Sequence, residues 1–269
     1  MSDTVAILGC GWLGLPLGAE LARRGYRVRG SSTRAERLPD LAQVGIAPYL
    51  LRFTPRPEGD LAGFLADANV LVVSLPPRAG QQGDAFHPQQ IAALAEMLAV
   101  GSGQRTIVYL SSTSVYPDSG GEISEAAAVL ENHPLIQAEN TLKQTGLPLT
   151  VVRFGGLMGD DRIPGKYFIG KTVTTGDVPV NFIHRDDAVG VLCEIIRQRV
   201  WDETFNAVAP EHPLRREIYP KNAANFGWEA PRFETPASPE PFKVISPAKL
   251  VDRLGYRFAF PDPLTFRYR

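Results

Sequence analysis

Three glycines spaced Gly9-x-Gly11-x-x-Gly14 follow directly on the apolar run Val5 to Leu8. That spacing after a strand suits a dinucleotide's pyrophosphate. Gly9 permits the tight turn, Gly11 removes the side chain that would block the phosphates, and Gly14 lets the next helix pack close to the strand. Trp12, Leu13 and Gly14 open that helix, whose first-turn N–H groups face the anion. A second group, Ser32, Thr33 and Arg34, with Arg37 one helical turn further on, follows the second expected strand. An NAD enzyme commonly carries an acidic residue there for the ribose hydroxyls, and this chain has none. Hydroxyls and guanidiniums suit a 2′-phosphate, so NADP is favoured over NAD; the plainer use of Arg34 and Arg37 is a solvated helix face. Leu75 and Pro76 close the fourth expected strand. They either run beside the middle of the cofactor or simply end the strand.

Holding these residues requires a sheet with its strand ends on one edge. Short Val/Ile/Leu/Tyr-rich runs at Val5–Leu8, Tyr26–Gly30, Pro48–Leu51, Val70–Leu75, Thr106–Leu110, Leu149–Val152 and Thr204–Val208 read as strands. Helical stretches Leu15–Arg24, Gln89–Leu98 and Ile136–Lys143 lie between them. The apolar stripe Ile91, Leu94, Met97 and Leu98 is expected to cover a sheet face. This order predicts an α/β fold, a doubly wound parallel Rossmann sheet of about seven strands. Asp186 or Asp187 is expected to cap a helix running through Val191 and Ile195. The glycine- and proline-rich segments break the alternation. The expected division is therefore a dinucleotide-binding domain at 1–154 and 181–209, with a small C-terminal substrate lobe at 155–180 and 210–269.

Composition bounds the rest. A chain of 269 residues with 44% hydrophobic content can bury a full core. Its net charge of −1 and lack of a basic run point away from nucleic acid and anionic membranes. Val5 to Ala22 is apolar apart from Glu20, but it carries Gly-x-Gly and Pro16 and follows an acidic leader, so neither an export signal nor a membrane span is expected. The expected location is cytoplasmic. Cys10 and Cys193 form no disulfide or zinc pattern and should be reduced and buried. The four histidines lack a His-x-x-x-His pair, and no catalytic metal is expected.

Several pieces, in order, resemble the extended and atypical short-chain dehydrogenase/reductase superfamily, in its NAD-dependent epimerase/dehydratase branch. They are the glycine turn, Ser31-Ser32-Thr33-Arg34, Tyr109-Leu-Ser-Ser-Thr-Ser-Val-Tyr116, Val152-Arg153-Phe-Gly-Gly-Leu-Met-Gly159 and Asn181-Phe-Ile-His-Arg-Asp-Asp187. The resemblance implies that Ser112, with Thr113 and Ser114 as nearby substitutes, hydrogen-bonds the reacting oxygen of a sugar-like substrate. A serine cluster after a strand also serves simply to cap loop backbone. The superfamily's general acid/base is a tyrosine in a Tyr-x-x-x-Lys pair about 25 residues beyond that serine. Here, with Glu139 as the family's helical glutamate, those two positions hold Glu131 and Leu135. A Tyr167-Phe-Ile-Gly-Lys171 match falls in the lobe, outside the required context.

Substitutes for the tyrosine are Tyr116, close to the motif serine, and His184, which could shuttle a proton or simply cap a helix. Arg153 could hold a substrate anion or brace the loop at Asp160 and Asp161, and Arg215 is a further candidate for a substrate contact. The leading expectation is an NADP-binding oxidoreductase or epimerase on a nucleotide-sugar-like or other small carbonyl or polyol substrate. A catalytically weak or inactive NADP-sensing or scaffold protein is the alternative. A β-hydroxyacid dehydrogenase, suggested by Gly14-Leu-Pro16, ranks third because it requires an all-helical second domain. Dimerisation through helices is common in the superfamily, so a homodimer fits the resemblance.

Overall fold

Val5, Ala6 and Ile7 are wholly buried, as an unbroken apolar run should be when it forms an inner strand of a sheet covered on both faces. The computed structural model describes residues 3–77, 79–100 and 105–268. The strands of its main sheet are β1 Thr4–Leu8, β2 Arg27–Ser32, β3 Ile46–Leu50, β4 Val70–Val73, β5 Thr106–Ser112, β6 Leu149–Phe154 and β7 Thr204–Ala207. They form one 7-stranded sheet in the order β7-β6-β5-β4-β1-β2-β3, the expected doubly wound arrangement. Parallel registers such as Ile7↔Gly30, Ile7↔Val72 and Val72↔Val108 bring the C-terminal ends of β1, β2, β4 and β5 to one edge.

The helices start or end within a few residues of their expected bounds. Helix Gly14–Arg23 follows the glycine turn, Phe86–Val100 and Pro134–Lys143 pack on one another, and Arg185–Gln198 precedes β7. One expected core residue fails. Ile91, Leu94 and Leu98 are buried, whereas Met97 is half-exposed, because it lies off the face that those three share. Cys10 and Cys193 are free and buried.

The chain packs as two units. The first comprises the chain up to Val115, Val129–Arg153 and Leu192–Thr204. The second comprises Tyr116–Ala128, Phe154–Val191 and the chain from Phe205. Both segments expected in the lobe fall in the second unit, which also takes in 116–128, 181–191 and 205–209. That unit holds short parallel pairs, Gly156–Met158 with Phe182–His184 and Thr172–Val173 with Arg232–Phe233. It is thus not the all-helical domain of a β-hydroxyacid dehydrogenase. Val180, Ile218 and Tyr219 form an apolar cluster there, flanked by Phe168, Phe182 and Phe233. Among the described residues no helix is long and apolar enough to cross a membrane. Among the same residues, no group of three or more His, Cys, Asp or Glu could hold a metal ion.

Candidate functional site

The glycine turn has the shape its spacing demands. Gly9 sits at φ +103°, and a Cβ there would lie 2.6 Å from the Ser74 carbonyl oxygen. A Cβ at Gly14 would lie 2.3 Å from the Gly9 oxygen, so strand and helix touch at that point. At Gly11 a Cβ would meet nothing within 4 Å. The turn is closed behind and open in front. Helix Gly14–Arg23 starts at Leu13 with no side-chain cap, which suits an anion at its positive end. A dinucleotide's pyrophosphate therefore fits these residues. Ser74, just past β4, lies against Gly9, and the Leu75 backbone nitrogen comes within 3.6 Å of where a Gly9 Cβ would lie; Pro76 follows it in the chain.

The end of β2 is tied to the same turn. The buried Ser31 accepts the Gly9 N–H on Oγ at 2.8 Å and the Cys10 N–H on its carbonyl at 2.8 Å. Burial pushes the Cys10 thiol up to about 12, so it stays protonated. Beyond Ser31 the chain turns outward. Ser32 Oγ accepts the Arg34 N–H at 3.1 Å, leaving Thr33 and Arg34 exposed. The Arg34 guanidinium has no hydrogen-bond or ion-pair partner among the described residues. Arg37 differs: its Nε lies 2.8 Å from the Asp40 carboxylate. Arg52, which the sequence did not single out, comes to this loop, its Nε donating to the Thr33 carbonyl at 3.1 Å. No local pattern reveals this contact: it follows from the pairing of β3 with β2 through Ser32↔Leu50, two residues short of Arg52.

Ser112 ends β5 and is half-buried, and Thr113 is buried in the short helical turn behind it. Ser112 Oγ accepts the Ser114 N–H at 3.1 Å, and Ser114 Oγ lies 3.4 Å from His133 Nε2. Glu131 is exposed ahead of the helix Pro134–Lys143, and Leu135 is buried. Beneath this edge lies a charged pair that the sequence hid. Glu139, 1% exposed, receives Arg153 Nη2 at 2.7 Å, Arg153 Nε at 3.1 Å and Ser111 Oγ at 2.7 Å. Arg153, read as a substrate contact or loop brace, is thus engaged by a buried carboxylate. Asp160 is paired instead by Arg185, at 2.7 Å.

The remaining candidates lie in the second unit. Tyr116 is buried, and its hydroxyl donates to Asn206 Oδ1 at 2.9 Å. His184 is also buried; its Nδ1 accepts the Asp186 N–H at 3.2 Å and its Nε2 donates to the Arg267 carbonyl at 3.2 Å. The ring thus does the work expected of Asp186 or Asp187 at this helix start. Asp187 is engaged elsewhere, accepting from Tyr256 Oη and from the N–H groups of Ala259 and Phe260. Arg215 donates to Thr175 Oγ1 at 2.8 Å. Tyr167 is exposed on a short helical turn, Pro164–Phe168.

A parallel sheet with an open glycine turn and a strand-end serine defines a dinucleotide-binding protein, and the comparisons agree. The chain belongs to the NAD(P)H-binding family, whose match spans residues 9–199. It is 33% identical over 270 residues to protein YeeZ of Escherichia coli strain K12, covering 97% of each chain. Its fold is that of the epimerase/dehydratase-type Rossmann proteins. MoeE5 in complex with UDP-glucose and NAD superposes with a TM-score of 0.76, at 19% identity over 98% of this chain and 97% of that one. The human epimerase family protein SDR39U1 with NADPH gives 0.69, at 16% identity over 97% and 96%.

Proposed function

We propose that this protein is an NADP-dependent oxidoreductase or epimerase acting on a small carbonyl or polyol substrate of nucleotide-sugar type. The observation that carries the cofactor choice is the end of β2, where Arg52 Nε meets the Thr33 carbonyl, the exposed Arg34 follows, and no acidic residue takes the ribose position. A 2′-phosphate would be held there by charge-assisted hydrogen bonds. The bound nicotinamide would supply the hydride chemistry. The chain's own contribution centres on Ser112. Because its Oγ already accepts the Ser114 N–H, its hydroxyl proton is left to give to a substrate oxygen. The UDP-glucose complex of a protein with this fold supports the substrate class.

A titration of NADPH against NADH tests the cofactor. Losing a hydrogen bond to a charged group costs ~1.5–3 kcal/mol, so Arg34→Ala and Arg52→Ala should each weaken NADPH roughly tenfold or more and leave NADH unchanged. Equal affinities, indifferent to both substitutions, would remove the 2′-phosphate. The engaged hydroxyl of Tyr116 and the engaged ring of His184 favour a second reading, an NADP sensor with little catalysis. Tight NADPH binding without turnover on a broad panel of carbonyls and nucleotide sugars would decide for it.

A further inference from the structure

The helix that should bring in the tyrosine and lysine instead begins with His133 and Pro134. Proline at the first helical position has no N–H to satisfy, and the His133 ring takes over the cap. Its Nδ1 accepts the Leu135 N–H at 3.2 Å. A nitrogen that accepts a backbone N–H carries no proton, so the neutral ring is protonated on Nε2. That Nε2–H points to the serine motif, 3.4 Å from Ser114 Oγ, while the Ser114 N–H fixes Ser112 Oγ. Ser112 and His133 are half-buried and Ser114 is exposed, so all three can be reached from solution. At 3.4 Å the serine hydroxyl is a loose acceptor that a better one can displace.

We propose that His133 stands in for the missing tyrosine as a neutral Nε2–H donor which, together with the Ser112 hydroxyl, binds the reacting oxygen of the substrate; this rests on the enzyme reading above. The ring acts as an electrophile. It lends a hydrogen bond to charge developing on that oxygen and keeps its own proton, as a neutral imidazole at a helix N-terminus is suited to do. The proton that finally neutralises the oxygen is water's. Taking up a proton on Nδ1 would break the cap, so the geometry disfavours the acid/base cycle that a tyrosine performs. The arrangement also explains why Glu131 and Leu135 need not carry the family's chemistry, since the donor sits between them.

Asparagine separates this role from capping. It caps a helix well but places no donor where Nε2 lies. In the full chain, His133→Asn should leave NADPH affinity and the unfolding midpoint unchanged. NADPH oxidation, read with phenanthrenequinone, diacetyl and UDP-glucose as probes, should fall ~10²-fold in kcat/KM, the scale of a lost oxyanion donor. Ser112→Ala should cost a similar factor, and the double variant little more, as groups acting as a unit do. Nitrogen-15 NMR of the histidine rings, assigned with the same variant, should show His133 unprotonated at Nδ1 and protonated at Nε2. A ring protonated at Nδ1, or His133→Asn turnover within about twofold of wild type, overturns the role and leaves the enzyme reading standing. Wild-type protein that binds NADPH yet turns over no probe defeats that reading, and the role of His133 with it.

Discussion

His133 and His184 occupy matching positions and serve opposite ends. Each precedes a helix, and each turns its Nδ1 to the N–H two residues ahead at 3.2 Å. The difference lies at the other nitrogen. His184 Nε2 is bound to the Arg267 carbonyl, and its ring lies tilted against Phe260, centroids 3.9 Å apart, and meets Phe266 edge-on at 5.3 Å. Gly159 leaves no room beside it, since a Cβ there would lie 2.7 Å from that nitrogen. His133 Nε2 faces a solvent-exposed serine. One cap geometry thus yields a packing element where Nε2 meets a backbone carbonyl and a chemical group where it meets a serine hydroxyl. Rigidity is also supplied differently. Around His184 it comes from aromatic rings and from Asp187, and around His133 it comes from the Glu139–Arg153 pair on the same helix and the strand beneath.

The largest effect expected tests that last contrast. Arg153→Leu strands a buried carboxylate and should cost ~3–5 kcal/mol in urea unfolding, and adding Glu139→Leu should recover part of the loss. If the double variant is as unstable as the single, the pair is not what stiffens this edge. Next in size, His184→Ala removes a packed ring and two hydrogen bonds, for ~2–4 kcal/mol, with NADPH affinity unchanged. A shift in cofactor affinity would break the assignment of this ring to packing.

His87 sharpens the comparison through pH. It is buried beside Tyr109, its Nε2 2.7 Å from the hydroxyl, and burial pulls it from 6.5 down to about 4. The unfolded chain therefore binds the extra proton first. Stability is complete above about 6.5 and falls as the pH drops towards 4, with a slope approaching ~1.4 kcal/mol per pH unit. His87→Gln should flatten that stretch of the curve; an unchanged slope would show that other groups dominate acid unfolding.

What the sequence disclosed was local. The apolar strands, the glycine turn and the hydroxyl–arginine stretch after β2 are patterns within a few residues, and the sheet followed from their order. Pairings across the fold were hidden. Arg153 ends a strand at the ligand-binding edge, which invites a ligand role; that a buried Glu139 meets it depends on how one helix lies over one strand. Arg52 likewise reaches Thr33 only because β3 lies beside β2. Helix starts were misjudged where a ring did the capping, because aspartate is the expected cap and histidine is not. A signal for His133 did exist in the His-Pro step before an apolar-periodic stretch.

Ser31 narrows how such a protein could change its cofactor over evolution. Its side chain and its carbonyl both fasten the glycine turn, and Cys10 Sγ fills the space where residue 30 would carry a Cβ. An acidic residue at 30 or 31 would spring the turn before it could greet a ribose. Ser32, one residue on, can be replaced without touching those fastenings, at the loss of the hydrogen bond that its Oγ accepts from the Arg34 N–H.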